Sequence, residues 1–237
     1  MRIISLWSGP RNVSTALMYS FAQRTDFEVV DEPLYGHYLL EVNVDHPGRA
    51  EVLATMNSNG TEVLHDQLKP GSRPYRFLKN MAHHWINLDD SFLINFSNIF
   101  LIRDPREMLP SLVRHIPEPT LRDTGLKRQW ELVKKLEELE ETWVVIDSKQ
   151  LLLAPRVILE KLCLYLSIPF DSCMLSWRPR PIPEDGVWSK YWYQNVHKSD
   201  GFQPYKDKSG VFPGRLEPLL NECEPFYTLL SEKSITL

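Results

Sequence analysis

Cysteine, basic surplus and long apolar runs are all scarce in this sequence, and each shortage removes a class of protein. The three cysteines, Cys163, Cys173 and Cys223, are scattered through 237 residues without metal-ligand spacing. That excludes a disulfide framework or zinc ribbon and suits a reducing compartment, with the thiols read as small buried hydrophobes. Lys and Arg total 27 against 31 Asp and Glu, a formal net charge of −4, which is the opposite of a nucleic-acid-binding footprint. Any anionic ligand must therefore be met by local basic residues. No apolar run approaches the roughly 20 residues of a membrane span. The chain opens directly into an apolar segment, leaving no room for a signal peptide, so the expectation is a soluble cytoplasmic protein with no membrane partner. Internal repeats and low-complexity tracts are absent too.

Short apolar runs alternating with helical patterns fill the chain. Arg2 to Trp7, Phe27 to Asp31, Tyr75 to Lys79, Asn98 to Ile102 and Trp143 to Ile146 have the length of buried strands. Between them, helical spacing predicts Val13 to Arg24, a short helix from Leu34 to Val42, and Ala50 to Asn57 closed by Asn59-Gly60. Further helices are expected from Pro105 to about His115, Leu126 to Glu141 and Pro155 to Leu166, and from Leu216 to Leu230 with an interruption at Pro225. This alternation predicts an α/β protein, a parallel central sheet with helices on both faces in one domain. From Arg178 to Gly214 the periodicity fails while aromatic residues, prolines and basic residues accumulate. So long a loop is usually functional, and it is expected to act as a lid.

In such sheets, ligands bind beyond the strand C-termini. The first such loop reads Gly9-Pro10-Arg11-Asn12-Val13-Ser14-Thr15. Turn residues lead into a helix with Asn12 as the expected N-cap, an arrangement that aims backbone N–H groups and the helix dipole at an anion. Arg11 adds a fixed charge. The second glycine and the lysine of a Walker P-loop are missing, which weakens a triphosphate reading. Glu32, Lys79 and the segment from Arg103 to Ser111 also follow strand ends, so they should share the crevice with this loop. Arg103 and Ser111, eight residues apart, project within roughly 80° of one another around the helix axis. An arginine and a hydroxyl converging in this way suit a phosphate. His83 and His84 are adjacent and face different ways, which argues against a shared metal.

With these residues in view, the sequence resembles the sulfotransferases that use 3′-phosphoadenosine 5′-phosphosulfate (PAPS). Arg103-Asp104-Pro105-Arg106, with a serine at 111, resembles the family's 3′-phosphate motif. The Pro155-led helix ending at Ile168-Pro169-Phe170 is also similar, as is Lys208-Ser209-Gly210 followed by Leu216, Pro218 and Tyr227. The last of these resembles the cofactor-covering end of carbohydrate-type members. The resemblance implies a P-loop nucleotide-kinase-like sulfotransferase fold, with Gly9 to Thr15 on the phosphosulfate and Arg103 and Ser111 on the 3′-phosphate. Lys208, Ser209 and Gly210 would then cover the cofactor.

The same resemblance implies transfer of a sulfuryl group to a hydroxyl or amine of a small-molecule or carbohydrate acceptor. Adenosine 3′,5′-bisphosphate would be the product, and no obligatory metal would be required. Glu32, held extended by Pro33, stands where related enzymes place a base, and His37 is the second choice. Lys79 would polarise the bridging oxygen, bind the sulfonate, or pair with a carboxylate at the sheet end. Arg11 would stabilise charge without donating a proton, and the aromatics from Trp188 to Phe202 would receive the acceptor. The R-K-G-x-x-G motif of small-phenol enzymes is absent, which argues against that subclass. The alternatives are a P-loop kinase-like phosphotransferase and a nucleotide-binding protein without turnover. Oligomeric state and acceptor identity stay open.

Overall fold

The computed structural model describes residues 1–44, 46–207 and 210–237. In chain order the elements are β1 (Arg2–Ser8), α1 (Ser14–Ala22), β2 (Phe27–Asp31), α2 (Tyr35–Val42), α3 (Arg49–Thr55), α4 (Gly60–Leu68) and β3 (Tyr75–Met81). There follow β4 (Ser97–Ile102), α5 (Pro105–Leu112), α6 (Leu121–Thr124), α7 (Leu126–Glu138) and β5 (Trp143–Asp147). The chain ends with α8 (Ser148–Leu153), α9 (Pro155–Tyr165), α10 (Ser189–Trp192), α11 (Glu217–Ser231) and β6 (Ser234–Ile235). Among the described residues the strands form one sheet in the order β2-β3-β1-β4-β5-β6, and every neighbouring pair is parallel.

Alternate side chains along β1 feed two cores. Ile4 and Leu6 pack with Leu17 and Phe21 of α1 and with Ile158 and Leu162 of α9. Ile3 and Trp7 pack on the other face with Leu132 and Leu136 of α7 and Leu230 of α11. Each such side chain taken from water stabilises the fold by about 1.5–3 kcal/mol. The pleat thus sorts one strand's residues into two layers, giving the expected parallel sheet with helices on both faces. β1 lies between β3 and β4, so successive connections leave its C-terminal end towards opposite sides, and a crevice opens there.

Several elements differ from expectation. Asn59-Gly60 begins a helix instead of closing one, because the Asn59 side chain accepts a hydrogen bond from Glu62 N and caps α4. Asp147 likewise caps the unanticipated α8 by accepting from Lys149 N. Pro225 lies inside α11 without ending it. Cys163 and Cys223 are buried free thiols, and Cys173 is a half-buried one.

Candidate active site

The C-terminal ends of β1, β2 and β4 open into a cavity of about 740 Å³. Pro10 to Ala16, Glu32, Arg103 and Ser111 all line it. Gly9 is not among the lining residues. A Cβ there would stand 2.3 Å from the Thr124 carbonyl oxygen, so Gly9 is required for close backbone approach. Asn12 does not cap α1. Its side-chain amide donates to Leu101 O at 2.8 Å and ties the loop to β4. The N-cap is Val13, and no side chain caps the helix there. Tertiary anchoring has taken the capping residue, so the first-turn N–H groups of α1 keep their capacity to bind an anion.

Beside this helix end the positive charge is concentrated. Arg11 sits in the left-handed region at φ 59°, and its Nε donates to Ser111 Oγ at 3.0 Å. Arg103 donates to the Arg11 carbonyl oxygen at 2.8 Å and to Glu107 Oε2 at 3.2 Å. Tyr205 holds the other oxygen of Glu107 at 2.5 Å. Arg114 lines the same wall. Burial, followed by the charges of Arg103 and Arg114, lowers the pKa of Arg11. Guanidiniums crowded in this way gain from a polyanion between them.

Across the cavity lies a buried carboxylate cluster. Lys79 is wholly buried, and its ammonium donates to Asp31 Oδ1 at 3.0 Å, to Glu32 Oε1, and to the Tyr193 hydroxyl at 2.5 Å. All three of its donors are used. Burial alone would lower the pKa of Lys79, but Asp31 and Glu32 outweigh it and hold the ammonium charged. One ammonium cannot neutralise two carboxylates, and Glu32 is the less satisfied of the two. Burial raises its pKa, Lys79 offsets part of that, and the charge of Asp31 adds to it. Glu32 Oε2 has His84 Nδ1 only at 3.9 Å, whereas Asp31 Oδ2 also accepts from Gly186 N at 3.1 Å.

Glu32 is not extended. Its φ is 41°, while its N–H donates to Lys79 O at 2.7 Å and lengthens the β2–β3 ladder by one rung. Pairing with β3 and with the Lys79 side chain overrides the usual bias of a residue before proline.

Aromatic rings close this end of the cavity. His84 stacks on Tyr35 with ring centroids 5.0 Å apart and on Tyr38 at 4.6 Å. His83 meets Tyr38 edge-on. Burial holds both imidazoles neutral, with His83 lowered to about 3 and His84 lowered as well. Trp188, Trp192 and Tyr193 of the 178–206 segment also line the cavity.

The family model described as a sulfotransferase domain matches residues 1–234. The chain belongs to the sulfotransferase family. Two Arabidopsis thaliana proteins are similar to this sulfotransferase domain. Branched-chain-amino-acid aminotransferase-like protein 2 is 38% identical over 97% of the chain, and protein 1 is 40% identical over 96%. The chain spans 41% of the length of each relative, and their names describe proteins more than twice as long. Among solved structures, the sulfotransferase domain from the curacin biosynthetic pathway superimposes with a TM-score of 0.53 at 17% identity, covering 100% of this chain and 99% of its own. A sulfotransferase from Alicyclobacillus acidocaldarius gives 0.56 at 12%, covering 98% and 95%. At such identities these two support the fold alone.

The sulfotransferase fold brings most of the expected residues together, and some it does not. His37 does not line the cavity. Its Nε2 is within 2.8 Å of Ile86 O, and its ring packs under Gly60, because α2 turns that face away from the sheet end. Lys79 is sealed behind the carboxylates, so of its three expected roles the structure has the pairing one. Arg11 points at Ser111, towards the wall expected to hold the 3′-phosphate. Gly210 lies away from the cavity lining, and Lys208 and Ser209 fall outside the described residues. Sequence reasoning missed Asp31, Tyr35, Tyr38, Arg114 and Lys198, all near or on the cavity wall. Arg114 had a signal, since it lies one helical turn beyond Ser111. Lys198 had none.

Proposed function

We propose that this domain transfers a sulfuryl group from PAPS to a hydroxyl or amine of a small-molecule or carbohydrate acceptor, with Glu32 as the base. One observation carries the reading. A single cavity joins an uncapped helix N-terminus and an arginine cluster at one end to a half-compensated buried carboxylate at the other.

The residues present suit such a donor. The α1 N–H groups of the Arg11 to Thr15 loop would hold the phosphosulfate, and Arg11, Arg103 and Ser111 would hold the 3′-phosphate. The bound donor would supply an activated sulfuryl group, whose bond to the phosphate oxygen breaks as the acceptor atom bonds to sulfur. Glu32 Oε2 takes the proton that the acceptor loses. Its raised pKa matches it to a hydroxyl better than an ordinary surface carboxylate would be. Tyr35, Tyr38 and Trp188 give the acceptor an apolar wall.

Binding and turnover are tested separately. Calorimetric titration should show tighter binding of adenosine 3′,5′-bisphosphate than of ATP with Mg²⁺, and the reverse order would favour a phosphotransferase. An acceptor screen with PAPS carrying labelled sulfate should then find transfer that Glu32→Gln reduces by roughly 10²-fold or more while donor affinity holds. Unchanged turnover in Glu32→Gln would remove Glu32 as the base.

A further inference from the structure

One hydroxyl that has no part in the proposed proton transfer contacts every member of the carboxylate cluster. The Tyr193 hydroxyl accepts from Lys79 Nζ at 2.5 Å and from Trp188 Nε1 at 3.1 Å. It lies 2.8 Å from Asp31 Oδ1, 2.9 Å from Asp31 Oδ2 and 3.3 Å from Glu32 Oε1. With one proton to give, it donates to Asp31, the nearer carboxylate. Asp31 also accepts Gly186 N–H, so the loop is fastened at two points to the end of β2. Tyr193 is 4% exposed, and its ring packs against the Lys79 ammonium at 4.8 Å.

From this geometry we infer that Tyr193 is a positioning residue, whose hydroxyl latches the 178–206 segment onto the Asp31–Glu32–Lys79 cluster and so sets how Lys79 is shared between the two carboxylates. While the latch is made, Asp31 is satisfied by Tyr193 and Gly186, and Lys79 can remain on Glu32. When it opens, Asp31 loses a donor and draws Lys79 towards itself, leaving Glu32 less compensated. Seating of the loop over the cavity is thereby coupled to the state of the group that receives the proton. The groups facing Glu32 are Asp31 from β2, Lys79 from β3, Tyr193 from the loop, His84 from the turn after β3, and Tyr35 from α2. The His84 ring and the two Tyr rings stay uncharged as Glu32 titrates, so Lys79 and Asp31 set the balance.

The inference takes its functional meaning from Glu32 as the base, but its test does not need turnover. In protein labelled with ¹³C at the glutamate carboxyls, the Glu32 resonance is the one lost in Glu32→Gln. Its titration midpoint in Tyr193→Phe should move to higher pH by roughly half a unit or more, the equivalent of about one hydrogen bond to the charged form. A residue that only packs would lower the melting temperature and leave that midpoint alone, and an unchanged midpoint overturns the inference. If Tyr193→Phe does not fold, Trp188→Phe decides. It keeps a ring but removes the indole donor to the hydroxyl, so a smaller shift in the same direction supports the latch and no shift overturns it. Full turnover by Glu32→Gln in the labelled-sulfate assay would instead overturn the base, whatever the resonance does.

Discussion

Arg11, in the loop after β1, and Ser111, near the end of α5, lie 100 residues apart in the chain, yet they share a hydrogen bond of 3.0 Å. If that pair holds the 3′-phosphate of the donor, a double-mutant cycle on nucleotide affinity should reveal it. Ser111→Ala removes one neutral hydroxyl, worth about 1 kcal/mol or roughly five-fold in Kd. Arg11→Ala removes a charge-assisted contact, about 2–3 kcal/mol or roughly 30- to 150-fold. The double variant should lose less than the sum by about 1 kcal/mol, because Ser111 orients the guanidinium that Arg11→Ala deletes. Calorimetry with adenosine 3′,5′-bisphosphate and with adenosine 5′-phosphate, at one fixed ionic strength, supplies the numbers. The losses should be large for the bisphosphate and small for the monophosphate. Equal losses for both nucleotides would refute the 3′-phosphate assignment. Additivity within about 0.3 kcal/mol would refute the claim that the two side chains act as a pair.

Two further perturbations probe the same framework. Lys79→Met should destabilise the fold by about 3–5 kcal/mol in urea unfolding at neutral pH, since it leaves Asp31 and Glu32 buried together without a counter-charge. The loss should shrink in acid as one carboxylate takes a proton, and a loss that did not depend on pH would contradict the electrostatic account. Burial would raise the pKa of Glu28, but hydrogen bonds from Ser72 and Arg76 outweigh it and lower the pKa to about 2. Because the folded value lies below the ordinary one near 4.5, its contribution is present above pH 4.5 and is lost as pH falls towards 2. Melting curves of Glu28→Gln should therefore fall less steeply than wild type across that window, and parallel curves would mean that these bonds do not persist in solution.

Much of this site was legible from strand ends alone. Short apolar runs alternating with helical spacing specify a parallel sheet, and a parallel sheet gathers its strand termini on one edge. Arg11, Glu32, Arg103 and Ser111 each follow a strand, so their meeting at one cavity follows from local pattern plus topology. The Arg103–Ser111 spacing put both residues on that cavity for a related reason, since Arg103 follows β4 and Ser111 lies two turns along the helix that β4 leads into.

What the residues do to one another was decided only by the tertiary structure. Asn12 has the chemistry of a cap, but the Leu101 carbonyl lies within its reach and claims it. Glu32 has the sequence context of an extended residue, but pairing with β3 turns it to φ 41°. Lys79 has the charge to meet a sulfonate, yet Asp31, Glu32 and Tyr193, from positions 31 to 193 in the chain, consume all its donors. Hydrogen bonds are short and directional, so which donor meets which acceptor depends on distances that spacing along the chain does not encode. Strand and helix periods are local and survive in sequence; the sharing of one ammonium among three oxygens exists only once the sheet, the loop and the buried space between them have formed.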